Sequence, residues 1–179
     1  MLRILLAAVF VFSVGFAVSA NAQEVGQRTQ TLLAALDKTK YKKKEKKNIS
    51  IEVYVDVKNE AVLKADPSEY SGFYRAEGYS LDLRVSKDGT ATGGGTDNNY
   101  ESTTQAAFKL QDARIQGALL TATKVYETGE KQAFEAVFAN RTVTNGRNPE
   151  NINGRETSFG LGFIQNAGSW TNRVFLERN

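Results

Sequence analysis

Two catalytic chemistries are closed to this sequence from the outset. It contains no histidine and no cysteine, so Ser-His-Asp and Cys-His catalysis have no base or thiolate, and the usual zinc and copper ligands are missing. Gly93-Gly94-Gly95 lacks the lysine and following helix of a phosphate-binding loop and reads as a strand end. Carboxylates remain. Glu52 and Asp56 fall on one face of an alternating stretch, but four strand residues separate them by roughly 13 Å, too far to serve one glycosidic bond. Asp97, Asn99 and Glu101 alternate like the first ligands of a calcium loop. The sixth place is then Ser102 and the closing place Phe108, so the stretch reads as an ordinary solvated loop. The residues therefore single out no catalytic group, metal site or cofactor and point to a chain that binds rather than reacts, with a carboxylate-based hydrolase, its pair formed across strands, as the remaining alternative.

Binding chemistry is better represented. Aromatic residues gather in two places, and Tyr74, Tyr79, Phe159, Phe163 and Trp170 are the candidates to line an apolar interior, or simply to fill it. Arg147 and Arg155 lie in a second polar stretch, Thr144 to Glu156, which reads as a loop with two Asn-Gly pairs. The run Lys38 to Lys47 holds seven lysines. It reads as a solvated helix end whose charges complement the helix dipole, or as a linker, with a patch for anionic lipid, glycan or nucleic acid, including contact to a membrane surface, as the alternative.

Elements must position these residues, and the sequence supplies them in order. Arg3, the apolar run from Ile4 and the tail Ala20-Asn21-Ala22 have the three parts of a secretory signal peptide, cleaved before Gln23. A secreted or periplasmic location follows, and the absence of cysteine excludes a lipidated anchor of the bacterial lipoprotein type. The predicted organisation is residues 1–22 as signal peptide, 23–48 as helix and Lys-rich segment, and 49–179 as a β-rich domain. Without Arg3 the remaining chain carries 22 basic and 20 acidic residues. That near-balance points away from nucleic acid and leaves an apolar small molecule or an envelope protein as the expected partner.

Val25, Leu32, Leu33 and Leu36 recur at helical spacing, which predicts a helix from 24 to about 47. From Ile49 the period becomes two: Ile49, Ile51, Val53, Val55 and Val57 alternate with polar residues, the cleanest strand in the chain. After Asp66-Pro67-Ser68 eight further strands are expected, separated by turns such as Lys87-Asp88-Gly89, with a turn at 111–113 and a bend at Gly117. In the last hairpin Phe159, Leu161 and Phe163 alternate with Ser158, Gly160 and Gly162, which predicts tight curvature, or close approach of another segment, on the glycine side. The fold class is mainly β: an eight-stranded antiparallel up-and-down barrel, or else a β-sandwich, preceded by an N-terminal helix and one extra strand.

Gly72-Phe73-Tyr74 opening the meander, the hairpin at Lys87-Asp88-Gly89 and the closing strand to Leu176 resemble the calycin group of secreted barrels, which includes lipocalins. The resemblance is one of architecture over roughly Ser71 to Glu177. The G-x-W that lipocalins carry on their first strand reads Gly72-Phe73-Tyr74 here, while Gly168-Ser169-Trp170 stands before the last strand. What the resemblance implies is a barrel whose cup takes an apolar molecule.

Overall fold

A strand as regular as Ile49–Val57 leaves a row of backbone donors and acceptors on each edge, and the fold is organised by how those rows are paired. The computed structural model describes residues 21–46, 49–98, 105–167 and 170–179, with backbone alone at 45, 46, 49–51, 105, 167 and 170. The N-terminal apolar run, Lys47 and the calcium-like positions Asn99 and Glu101 lie outside the described residues. Among those residues no helix is long and apolar enough to cross a membrane.

Helix α1 spans residues 21–36. Leu33 and Leu36 are buried on its inner face, as their spacing requires, and the Asp37 amide closes the last turn on the Leu33 carbonyl. The helix does not continue to residue 47. The lysine run forms strand β1 (Lys38–Lys46) instead. In a helix Lys38, Lys40 and Lys42 would each face another lysine four residues on, which is destabilising. In a strand they pair with β2 (Ile49–Ala61), Lys38 opposite Val57 and Lys44 opposite Ile51. Two strands, not one, therefore precede the barrel.

The expected eight strands follow: β3 (Gly72–Ala76), β4 (Tyr79–Val85), β5 (Thr90–Asn98), β6 (Gln105–Gln116), β7 (Leu119–Tyr126), β8 (Lys131–Asn148), β9 (Asn151–Ala167) and β10 (Trp170–Arg178). Each pairs antiparallel with its sequence neighbour, and β10 returns to β3, so the ring is closed and the sandwich alternative falls. The predicted turn at 111–113 is a bulge inside β6, with Asp112 in the left-handed region at φ 54°. The chain reverses at Gly117, whose φ of 61° suits glycine. The three consecutive glycines lie within β5 rather than at its end.

The stretch Thr144–Glu156 is not a loop. It is the far end of a long β8–β9 hairpin, paired from Ala136 opposite Phe163 to Asn148 opposite Asn151. The Asn-Gly pairs sit within or beside its bulges, and the turn is made at Pro149-Glu150. The outer edge of β8 changes partner midway. Lys131 to Val137 pair with β7, and Ala139 to Gly146 pair with β2. At the junction Phe138 donates its N–H to Ala118 and accepts from the Val62 amide, so the ladder has no gap. The outcome is a barrel with a four-stranded sheet, β1-β2-β8-β9, projecting from one end.

That end is plugged. Asp66 caps a short 3-10 turn (Pro67–Tyr70) by accepting the Ser68 amide, and proline occupies its first turn. The turn delivers Tyr70, fully buried, onto the Phe138 ring at 4.1 Å between centroids. On the barrel exterior α1 lies over the glycine side of the last hairpin, the second of the two readings that the alternation of Phe159, Leu161 and Phe163 allowed. A side chain at Gly162 would meet Leu36 at 2.5 Å.

Candidate functional site

Four of the five predicted lining residues share the barrel interior: Tyr74, Tyr79 and Phe163 are buried and Phe159 is packed against the core. The side chain of Trp170 is outside the description. The rings touch one another rather than enclose a space. Tyr74 and Phe159 both pack on Phe138, Phe163 packs edge-on to Phe134 at 5.2 Å, and Tyr79 to Phe163 at 6.1 Å. Hollows of about 500, 300 and 390 Å³ are lined by residues of the barrel exterior, α1 and the projecting sheet.

Polar chemistry that the sequence reading missed lies in the same interior. Leu120, Ala122, Lys124 and Tyr126 alternate along β7, which turns Lys124 inward. Its ammonium donates to both Asp97 oxygens at 2.9 and 2.7 Å. Both residues are buried, and the rings of Phe108, Phe134 and Phe163 surround the ammonium at 4.2–4.9 Å. Tyr126 donates a further hydrogen bond to Asp97 at 2.6 Å. Asp97, expected in a solvated loop, is thus committed to a lysine. A lysine on the inward side of a strand was the available signal.

Among the described residues no buried side-chain nitrogen or oxygen lacks a hydrogen-bond partner, and three aromatic rings crowd the ammonium beside its two bonds to Asp97. Burial pushes the Lys124 ammonium below its ordinary value, against the opposing pull of Asp97. Burial also raises the Tyr70, Tyr74 and Tyr126 phenols, Tyr74 to about 12, and at Tyr126 the Asp97 carboxylate adds to the effect.

The tyrosine shifts carry a testable sign. Above about pH 10 the unfolded chain gives up phenolic protons that the native state keeps, so stability should fall as pH rises from there toward 12. Lys124 acts oppositely below the ordinary lysine value, where rising pH favours the folded form. An alkaline absorbance titration should show these three of the seven tyrosines ionising late. Seven equivalent phenols would contradict the packing.

On the projecting sheet Glu52 and Asp56 share a face but are already engaged, Glu52 with Lys43 at 3.8 Å and Asp56 as acceptor for the Thr39 hydroxyl. They form no acid–base pair. Arg155 stands opposite Thr144 in the β8–β9 ladder, and Arg147 lies at the bulge near the hairpin tip. Neither reaches the barrel interior.

The opposite face of the sheet is different. Lys38, Lys40, Lys42 and Lys44 are exposed, lie on one side of the edge strand, and have no ion-pair partner among the described residues. At about 6.6 Å per two residues they form a row roughly 20 Å long. Beside them run Val57, Val55 and Val53, the last 43% exposed. On the neighbouring β8 and β9 this face carries Arg141 and one acid, Glu156. Lysines commonly blunt a free sheet edge against aggregation, and either side of the strand would serve for that. Here four are concentrated on one side, while the acids of β2 lie on the other.

Comparison with protein-family models, with curated proteins and with solved structures finds no match to this chain.

Proposed function

We propose that this protein is an exported, non-catalytic binding module in which the barrel is a filled scaffold and the projecting sheet holds an anionic partner. The observation that carries this reading is the row of four lysines, without an ion-pair partner among the described residues, on one face of the β1 edge. Four like charges at this spacing repel one another unless salt or a counter-charged surface relieves them, and a polyanion would do so with release of small ions. Export rests on the N-terminal segment, with its single arginine, apolar run and small-residue tail.

A ligand inside the barrel is weighed against by the packed aromatic rings and the Lys124–Asp97 pair. Native mass spectrometry of protein taken from its own compartment separates the two readings. The mass of the bare chain is expected, and a co-purifying apolar molecule would restore the interior as the site.

The sheet itself is tested on an immobilised polyphosphate matrix at low salt. The wild-type protein should be retained and should elute as salt is raised. Lys40→Glu/Lys42→Glu, which keeps the edge charged and soluble, should pass through unretained. Retention of that variant equal to wild type would refute the reading.

A further inference from the structure

At the root of the lysine row the sheet meets α1 and β10 across a groove of about 300 Å³. Three cations line it: Lys38 from β1, Arg141 from β8 and Arg173 from β10, with Asn172 and Thr171 beside them and no acid in the lining. Arg141 lies with its guanidinium 5.3 Å from the Phe175 ring centre, which leaves the donors on its rim free to turn outward. Arg173 spends one donor, Nε, on the Ala35 carbonyl at 2.6 Å and keeps its two terminal nitrogens. Asp37 stands nearby but is already engaged: it accepts two hydrogen bonds from Asn59 and faces Lys58 at 3.5 Å.

We infer that this groove receives the phosphate of a lipid headgroup, and that the lysine row beyond it lies along the same anionic bilayer surface. The inference rests on the proposed anion-binding role of the sheet and names its partner. Two arginines and a lysine converging on a small groove suit a phosphate, which accepts several charge-assisted hydrogen bonds at once. The valines beside the row argue for lipid over nucleic acid. They supply apolar surface at the depth where lysine stems lie and heads reach outward, and the face has no aromatic ring in the lysine or valine rows on which a base could stack.

The experiment is co-sedimentation of the full chain, from Gln23 onward, with vesicles of phosphatidylglycerol and phosphatidylcholine at 1:3, with phosphatidylcholine alone, and with soluble polyphosphate as a separate arm. Binding to the anionic vesicles and not to the neutral ones is expected, weakening with salt. Lys40→Gln/Lys42→Gln should weaken it about 25-fold, taking roughly fivefold per lysine at an anionic surface. Lys38→Gln and Arg173→Gln should each weaken it at least fivefold. Val53→Ser, which leaves every charge in place, should reduce vesicle binding and leave polyphosphate binding at the wild-type level. Equal binding to neutral vesicles overturns the inference. So does binding to polyphosphate with none to the anionic vesicles, which would leave the anion-binding role of the sheet standing. Failure to bind either would remove both.

Discussion

Asp97→Ala should lower the folding stability by about 3–5 kcal/mol, among the largest effects of any single substitution in the barrel. The reason is what it leaves behind. Lys124 is about 3% exposed, held under three aromatic rings, and both of its close oxygen partners belong to Asp97. Without the carboxylate the ammonium must shed its proton, drag in water or leave the interior, and each route costs free energy. For a chain of this length the loss corresponds to a fall in Tm of roughly 6–20 °C, readable by thermal circular dichroism. Adding Lys124→Met in the same background should recover most of the loss. A buried pair contributes little beyond an apolar replacement of the same shape, whereas half a pair is a liability. If Asp97→Ala alone cost less than about 1 kcal/mol, the lysine would have an escape route and the pair would not be buried in solution.

Phe138→Ala should be comparably severe, at about 3–5 kcal/mol, for a different reason. Phe138 is fully buried and is the ring on which the closed end is assembled: Tyr70 stacks on it, and Tyr74 and Phe159 pack at 5.9 and 6.4 Å. Its loss also loosens Tyr70, whose hydroxyl accepts from the Lys64 amide at 2.9 Å and donates to the Val62 carbonyl at 2.7 Å. The connection across the barrel end is tied through that one phenol. The midpoint of urea unfolding should fall while the slope stays near wild type. The void left is apolar and should accept benzene, as dry engineered cavities do; a benzene-induced rise in stability for the variant and none for wild type would confirm that the native interior is full. Phe138→Leu should cost far less, because most of the volume is kept.

Much of the architecture could be read from residue spacing. The helical repeat of Leu32, Leu33 and Leu36, the strict alternation at Ile49–Val57 and the eight strands after Pro67 each depend on local periodicity, which tertiary packing here did not override. Of the two readings the glycines beside Phe159, Leu161 and Phe163 allowed, tight curvature or a neighbouring segment, Leu36 against Gly162 supplies the second. The errors arose where local signals were ambiguous. A lysine run is compatible with a helix end until its i,i+4 repulsions are weighed against a strand partner that lies only a few residues downstream. Asn-Gly pairs ordinarily mark turns, yet here they accompany bulges within a hairpin that reverses one step further on. The Asp97–Lys124 pair was invisible because it joins strands through two ladders, each with a register shift, between Ala91 and Gly94 and between Gln111 and Arg114. Tyr74, Tyr79, Phe159 and Phe163 do pack together, but nothing in their spacing says whether rings surround a space or fill it. The basic groove needs three separate strands to converge and has no linear signature.

Because β8 and β9 run unbroken from the ring into the extension, the two parts share their backbone and have no hinge between them. A molecule held at the lysine face therefore fixes the attitude of the whole protein. The turns at the far rim would be presented at a set angle to whatever surface is gripped, as a handle fixes the blade it carries. Rotational diffusion should then report one tumbling time for probes placed at either extremity, in free and captured protein alike.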